Sequence, residues 1–175
     1  MRRVLIIGCP GAGKSTAARK LAVKTGLPLI HLDRHYWRAG WVPTEDLLWR
    51  ETVISLASQE CWIIDGTYGS TLAERLDRAD TIIHLDFPTW LCLWRVFKRT
   101  ATHYGRERPQ EFVPGCPERI DITFLKFVLL YRRRLRTKHL AKVSKFSGAV
   151  HSFTRPAELA AFLASLPSAD LERSV

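Results

Sequence analysis

The sequence predicts an α/β fold: a parallel sheet of five strands covered by helices on both faces. Three observations predict it. Short apolar runs alternate with helix-compatible stretches along the chain, the pattern of βαβ units. The runs are continuous rather than alternating, as expected of strands buried on both faces. The first of them, Val4-Leu5-Ile6-Ile7, leads through a glycine-rich turn straight into a helical stretch.

The elements follow in order. Residues 2–7 read as a buried strand, and 14–25 as a helix that Gly26 can end in a left-handed cap. Residues 28–32 read as the second strand, ending near Asp33, and 34–43 as an aromatic, basic connection. Residues 44–58 fit an amphipathic helix: Thr44 can cap it, Glu45 and Asp46 suit its first turn, and Trp49, Val53, Leu56 and Ala57 share a face. A short apolar strand at 61–64 runs into Asp65-Gly66, and 70–78 forms a short helix. The strand at 81–85 ends at Asp86-Phe87-Pro88 and the helix at 89–103 follows. Residues 105–117 hold Gly, Pro and charge without period, so they form a loop. Residues 121–136 are helical, with 138–146 as a separate helix; 149–153 is the last strand and 156–166 the last helix. The tail after Pro167 is expected to be loose.

Composition narrows the field. A chain of 175 residues, 46% hydrophobic and 25% charged, suits one domain, residues 1–175, with a sizeable core. No apolar run approaches the roughly 20 residues of a membrane span, and the run behind Met1-Arg2-Arg3 is too short for a signal-peptide core. A cytoplasmic protein with no membrane partner is expected. Cys9, Cys61, Cys92 and Cys116 stand far apart, which supports neither zinc-ligand spacing nor a disulfide framework. Cys9 reads either as a thiol acidified by neighbouring donors or, preferably, as a small filler. The net charge is +10, and residues 95–145, with fourteen Lys or Arg against four Asp or Glu, carry all of it. Such a band implies an anionic partner: a nucleotide, another phosphorylated substrate or nucleic acid.

The turn after the first strand names the chemistry. Gly8-Cys9-Pro10-Gly11-Ala12-Gly13-Lys14-Ser15 reads G-x-x-x-x-G-K-S, a complete P-loop in the strand–loop–helix context it requires. Glycines let the backbone wrap a phosphate chain with amide hydrogens pointing inward, and the helix N-terminus adds favourable potential for anions. The expected nucleotide-binding set is Gly8, Gly11, Ala12, Gly13, Lys14, Ser15 and Thr16. Lys14 would reach the β- and γ-phosphates, and the Ser15 hydroxyl would hold Mg²⁺.

Further segments carry a family resemblance. His31-Leu32-Asp33-Arg34-His35-Tyr36-Trp37, Trp62-Ile63-Ile64-Asp65-Gly66-Thr67-Tyr68, Leu85-Asp86-Phe87-Pro88 and Gly115-Cys116-Pro117-Glu118-Arg119 resemble segments of small adenylate-kinase-related proteins labelled DNA topology modulation proteins. The resemblance spans residues 1–140 or so. It implies a three-layer P-loop NTPase fold with a five-stranded parallel sheet, like the nucleoside monophosphate kinases, and a short arginine-rich lid at 105–118. It implies that Asp65, a Walker B acid, holds Mg²⁺ through water beside Ser15. In adenylate kinases the matching segment reads Asp-Gly-Phe-Pro-Arg. Here Thr67-Tyr68-Gly69 replaces its last three residues, so the arginine that would touch a monophosphate is absent from that place.

Asp33 lies where P-loop kinases face their acceptor, as ligands sit at the carboxyl ends of open-sheet strands. It could take a proton from an attacking hydroxyl, as shikimate and gluconate kinases use theirs, or bind the metal, or fix a substrate hydroxyl. Asp86 holds a similar position and is a second-rank candidate. Arg95 and Arg99, spaced i, i+4, match the lid arginine pair of adenylate kinases, one packing on adenine and one gripping phosphates. Arg106 and Arg108 fall in the lid. Arg119 with Asp121 resembles the Arg-x-Asp of the far hinge. Arg132 or Arg133 would supply the arginine of the following helix. Arg155 falls in the segment after the last strand that cradles adenine. Tyr36, Trp37 and Trp41 belong to the acceptor lobe, about residues 34–60, where they either stack on a ring or pack under the helix behind them.

The leading expectation is therefore an ATP- and Mg²⁺-dependent phosphotransferase acting on a small-molecule acceptor, a nucleotide among the candidates, as a monomer or homodimer. Its catalytic set is Lys14, Asp33, Asp65, Arg95, Arg99, Arg119 and Arg132, with Arg95 and Arg155 also on the nucleotide. The alternative is a nucleic-acid-binding or regulatory P-loop ATPase. Basic residues 134, 136, 138, 142 and 145 have no place in a kinase lid and could hold a phosphate backbone, although no helix-turn-helix, zinc-finger or RNA-binding signature is present. A signalling GTPase is disfavoured because the Asn-Lys-x-Asp guanine-reading segment is missing.

Overall fold

A computed structural model describes residues 1–108 and 111–167 of the chain. The expected lid proline Pro109 and the tail beyond Pro167 lie outside the described residues. Five strands form one parallel sheet: β1 (Arg3–Gly8), β2 (Leu29–His31), β5 (Trp62–Asp65), β6 (Thr81–Leu85) and β7 (Ala149–Phe153), in the order β2-β5-β1-β6-β7. A two-residue antiparallel ribbon, β3 (Trp37–Arg38) against β4 (Val42–Pro43), stands apart from it. Alternation along β1 divides the core. Val4 and Ile6 point to a face packed with Leu21, Ile63, Ile83 and Val128, while Leu5 and Ile7 point to a face packed with Trp49, Val53, Trp62 and Ile64. Helices α1 (Lys14–Thr25), α5 (Thr89–His103), α6 (Ile122–Tyr131) and α8 (Pro156–Ser165) supply residues to the first face. Helices α3 (Asp46–Ala57), α4 (Leu72–Leu76) and α7 (Thr137–Val143) supply the second. These are the three expected layers.

The register lines up the carboxyl ends of the strands. Asp65 pairs with both His31 and Ile6, Gly8 pairs with Leu85, and Leu85 with Phe153. The chain moves from β1 out to β2, returns through β5, then crosses β1 to β6, so the reversal of direction falls at β1, above which the P-loop sits.

Four expectations need correction. The second strand stops at His31, and Asp33 lies in the first turn of a short helix, α2 (Leu32–Tyr36), because the Leu32 side chain turns inward and is fully buried beneath Gly66. The connection expected at 34–43 is accordingly structured: α2, then the β3–β4 ribbon around a tight turn at Ala39–Trp41. Thr44 does not cap α3. Its hydroxyl donates to the carbonyls of His35 and Tyr36 (3.2 and 2.7 Å), tying the lobe to itself, and Glu45 precedes the helix. The expected break at residue 137 is absent, for α6 continues through a π-helical turn (Arg132–Arg136) into α7.

Candidate active site

The P-loop owes its path to two close approaches. A Cβ at Gly8 would stand 2.5 Å from the Leu85 carbonyl oxygen, and one at Gly11 2.4 Å from that of Cys92. Both residues have positive φ (150° and 83°), so glycine alone fits. Gly13, also left-handed, precedes α1, and Ala12 closes the turn by donating its N–H to the Cys9 carbonyl (3.1 Å). Lys14 Nζ donates to the carbonyls of Gly8 and Cys9 (3.1 and 3.2 Å), folded back along the loop it would leave for a phosphate. Ser15 and Thr16 open α1, the first half-buried and the second exposed. The Cys9 thiol is pushed up, first by its hydrogen bond with Cys92 and then by burial, so Cys9 is a packed filler rather than an acidified thiol.

The loop after β5 locks onto the P-loop. Thr67 Oγ1 donates to the Gly8 carbonyl (2.7 Å) and accepts from its N–H (3.1 Å). Tyr68, held at φ 26°, donates its hydroxyl to Asp33 Oδ1 at 2.5 Å. Arg75 stakes this loop from beneath. Fully buried, it donates to the carbonyls of Gly66, Thr67, Tyr68 and Thr71 (2.7–3.1 Å), and burial pulls its guanidinium down to about 9. At the end of β5, Asp65 is 5% exposed and accepts from His31 Nδ1 at 2.7 Å.

Asp33 and Asp65 share one electrostatic neighbourhood. Burial raises the Asp33 carboxyl above the ordinary aspartate range. The Tyr68 hydrogen bond opposes this, the Asp65 charge adds to it, and the Lys14 charge opposes it. The structure thus brings Lys14, Asp33 and Asp65 to one end of the sheet.

The arginines divide into two groups. Arg95 lies on the P-loop, donating to the Ala12 carbonyl (3.1 Å) and covering the Phe87 ring. Arg132 stands close enough for its charge to act on both Cys9 and Cys92, 3.7 Å from Asp86. Arg99, one turn beyond Arg95, faces Glu118 instead (3.0 Å), and the lid's Arg108 joins the same carboxylate (3.0 Å) and Glu111. Glu111 also meets Arg19 of α1 (3.1 Å). Arg119 is exposed, over the Trp41 ring. Arg155 is exposed at the start of α8 with its guanidinium on Glu158 (2.8 Å). Asp86, the second-rank candidate, is clamped by Arg136 (2.6–3.0 Å), so it is a structural partner rather than a free carboxylate. Two of the five basic residues without a kinase role thereby acquire internal ones: Arg136 on Asp86, and Lys142 on the Gly69 carbonyl (3.0 Å).

Tyr36 packs against Trp37, Trp49 and Tyr68, and Trp41 against Trp37 and Phe112, so the acceptor-lobe aromatics form a wall reaching from the Asp33 partner Tyr68 to the lid. The lid rests on that lobe. Gly40 N–H donates to the Gly115 carbonyl (2.7 Å), Trp41 Nε1 to the Pro117 carbonyl (2.9 Å), and the Cys116 thiol to the Arg38 carbonyl (3.3 Å). Sequence reasoning assigned no role to His31, Tyr68, Arg75 or Glu118. His31 and Tyr68 lie inside the family-like segments and could have been found by asking what each buried carboxylate uses as a donor. Glu118 lies inside such a segment too, and Arg75 alone carries no local signal.

Comparison with solved structures bears on the fold. A shikimate kinase from Acinetobacter baumannii in complex with shikimate superposes with a TM-score of 0.59 at 18% identity, over 100% of this chain and 96% of that one. The fold is that of the P-loop kinases. A shikimate kinase from Bacteroides thetaiotaomicron (TM-score 0.51, 18% identity, 98% of each chain) and a sugar kinase from Janibacter (TM-score 0.52, 16% identity, 95% of this chain and 94% of that one) share it. No protein-family model and no curated protein matches the chain. Among the described residues no helix is long and apolar enough to cross a membrane.

Proposed function

We propose that the chain is an ATP- and Mg²⁺-dependent phosphotransferase whose acceptor is a small molecule bearing a hydroxyl group. The observation that carries the reading is the convergence of Lys14, Asp33 and Asp65 above β1, on a P-loop that Arg95 also touches. Ser15 and Asp65 suit Mg²⁺ by their chemistry: a hydroxyl and a carboxylate are the hard oxygen donors that ion takes. Asp65 Oδ1 is held by His31, and no hydrogen bond engages Oδ2 among the described residues. Held by Ser15 and Asp65, Mg²⁺ would supply positive charge against the negative charge of the phosphates.

The protein's own groups do the rest. The P-loop amides and Lys14 orient the triphosphate. Asp33, raised by burial and steadied through Oδ1 by Tyr68, accepts the acceptor's hydroxyl proton as the oxygen attacks the terminal phosphorus and the bond to the departing nucleoside diphosphate breaks. Arg95 and Arg132 supply positive charge for the equatorial oxygens. The lid, docked on the acceptor lobe, keeps water from competing. The placement of Asp33 favours a hydroxyl acceptor over a phosphate one, since a carboxylate there would repel an anionic nucleophile.

A screen of nucleosides, nucleoside monophosphates, sugars and small hydroxy acids with purified protein and Mg·ATP tests this. Acceptor-dependent ADP formation, lost in Lys14→Ala, is expected. ADP formation that depends on added duplex DNA and on no small molecule would contradict it.

A further inference from the structure

Asp65 is a buried carboxylate whose only side-chain hydrogen-bond partner among the described residues is the imidazole of His31. The two residues are register partners on adjacent parallel strands, which sets their side chains next to each other above the sheet edge. Asp65 can only accept, so Nδ1 of His31 carries the hydrogen and donates it to Oδ1, 2.7 Å away. Lys14 does not compete for this oxygen, because its ammonium is on the carbonyls of Gly8 and Cys9. Burial explains a donor at position 31 but not the choice of histidine, since the edge strand β2 is otherwise apolar at Leu29 and Ile30. A ring bonded through its near nitrogen allows the carboxylate one rotamer, with Oδ2 left for another ligand.

We infer that His31 is a positioning residue for Mg²⁺: it holds Asp65 through Oδ1 so that Oδ2 meets the ion or its water. This rests on the phosphotransferase reading and adds a residue to it. Partners that orient a metal-binding carboxylate typically change metal affinity by about 10- to 100-fold when removed.

Asparagine and glutamine separate positioning from mere filling. His31→Asn puts an amide N–H near where Nδ1 stands, and His31→Gln puts it near where Nε2 stands, out of line with Asp65. The probe is adenosine 5′-(β,γ-imido)triphosphate, titrated calorimetrically with excess Mg²⁺ and again with EDTA. Thermal melting of each protein verifies that it is folded. The parent and H31N should show the same gain in nucleotide affinity on adding Mg²⁺. H31Q and H31A should lose roughly tenfold of that gain, with their EDTA affinities unchanged. Should H31A fail to fold, the H31N–H31Q contrast alone decides. An equal Mg²⁺ gain in H31N and H31Q would overturn the role of His31 and leave the phosphotransferase reading standing. No nucleotide uptake by the parent under either condition would overturn both.

Discussion

Asp33 is held in a position that costs stability. Burial raises its carboxyl, so the folded chain binds that proton more tightly than the unfolded chain does. The stabilisation from this proton is full below the ordinary aspartate pKa and is lost as pH rises through the raised folded value. At neutral pH the buried carboxyl is therefore a burden on folding. Asp33→Asn, which keeps an oxygen for the Tyr68 hydroxyl, should raise the melting temperature by about 2–4 °C at pH 7. The gain should vanish below about pH 4. Turnover should fall by roughly 10²- to 10⁴-fold. Equal melting temperatures across that pH range would show that Asp33 is not desolvated. Tyr68→Phe removes the one donor that favours the anion. The acid limb of the pH–rate profile should move upward, with a loss on the order of tenfold at neutral pH. An unmoved limb would remove Tyr68 from the site. At this scale the sequence showed the acids and the P-loop but not their donors. Lys14 and Ser15 announce themselves by spacing, whereas the Tyr68–Asp33 and His31–Asp65 pairs join residues 35 and 34 positions apart. Arg75 was hidden more completely, since a cation buried on four carbonyls looks in sequence like any surface arginine of a short helix.

At the scale of elements, periodicity was legible wherever a helix or strand is long or central. β6 and α5 have the expected bounds, and α1 ends at a left-handed Gly26. It failed at the edge strand β2, where three residues leave no period to read and the fate of Leu32 decides where the helix begins. It failed again past the run of arginines, where 138–146 reads as a helix separate from 121–136. Two of them, Arg132 and Arg136, face Asp86 at the carboxyl end of β6, and the helix runs on through its widened turn. Burial pushes the Asp86 carboxyl up, but the Arg136 hydrogen bonds and the two arginine charges outweigh it and hold the group below its ordinary range. A depressed folded pKa gives stability that is present above the unfolded value and is lost as pH falls through the folded one. Arg136→Ala should therefore cost about 1–3 kcal/mol at pH 7, with the deficit shrinking below about pH 4. Chemical denaturation at pH 7 and pH 3 checks this, and a deficit independent of pH would mean that the arginine acts through packing alone.

Across the whole molecule, the sheet supplies a rigid floor and the lid a cover held at both ends. Arg19 of α1 grips it through Glu111, and the β3–β4 ribbon grips it through Gly40 and Trp41. Trp41→Phe keeps the ring beside Phe112 and removes only the hydrogen bond to Pro117. Amide exchange across residues 111–118 should quicken by about two- to tenfold, the equivalent of one modest hydrogen bond. Exchange unchanged from the parent would mean that the ribbon does not restrain the lid. The same bonds were invisible in sequence, because they join backbone groups of two loops. The arginines expected on phosphate are shared between the P-loop and the lid carboxylates Glu111 and Glu118, which the charge count alone treats as incidental. The claim on which all of this rests is that the carboxyl end of the sheet receives a triphosphate through the P-loop. Calorimetric titration of Mg·ATP into the folded chain addresses it most directly. One site per chain with a Kd between roughly 1 μM and 1 mM, abolished in a Lys14→Ala protein of unchanged melting temperature, is the predicted result. No uptake at millimolar nucleotide, or full uptake by Lys14→Ala, would contradict it.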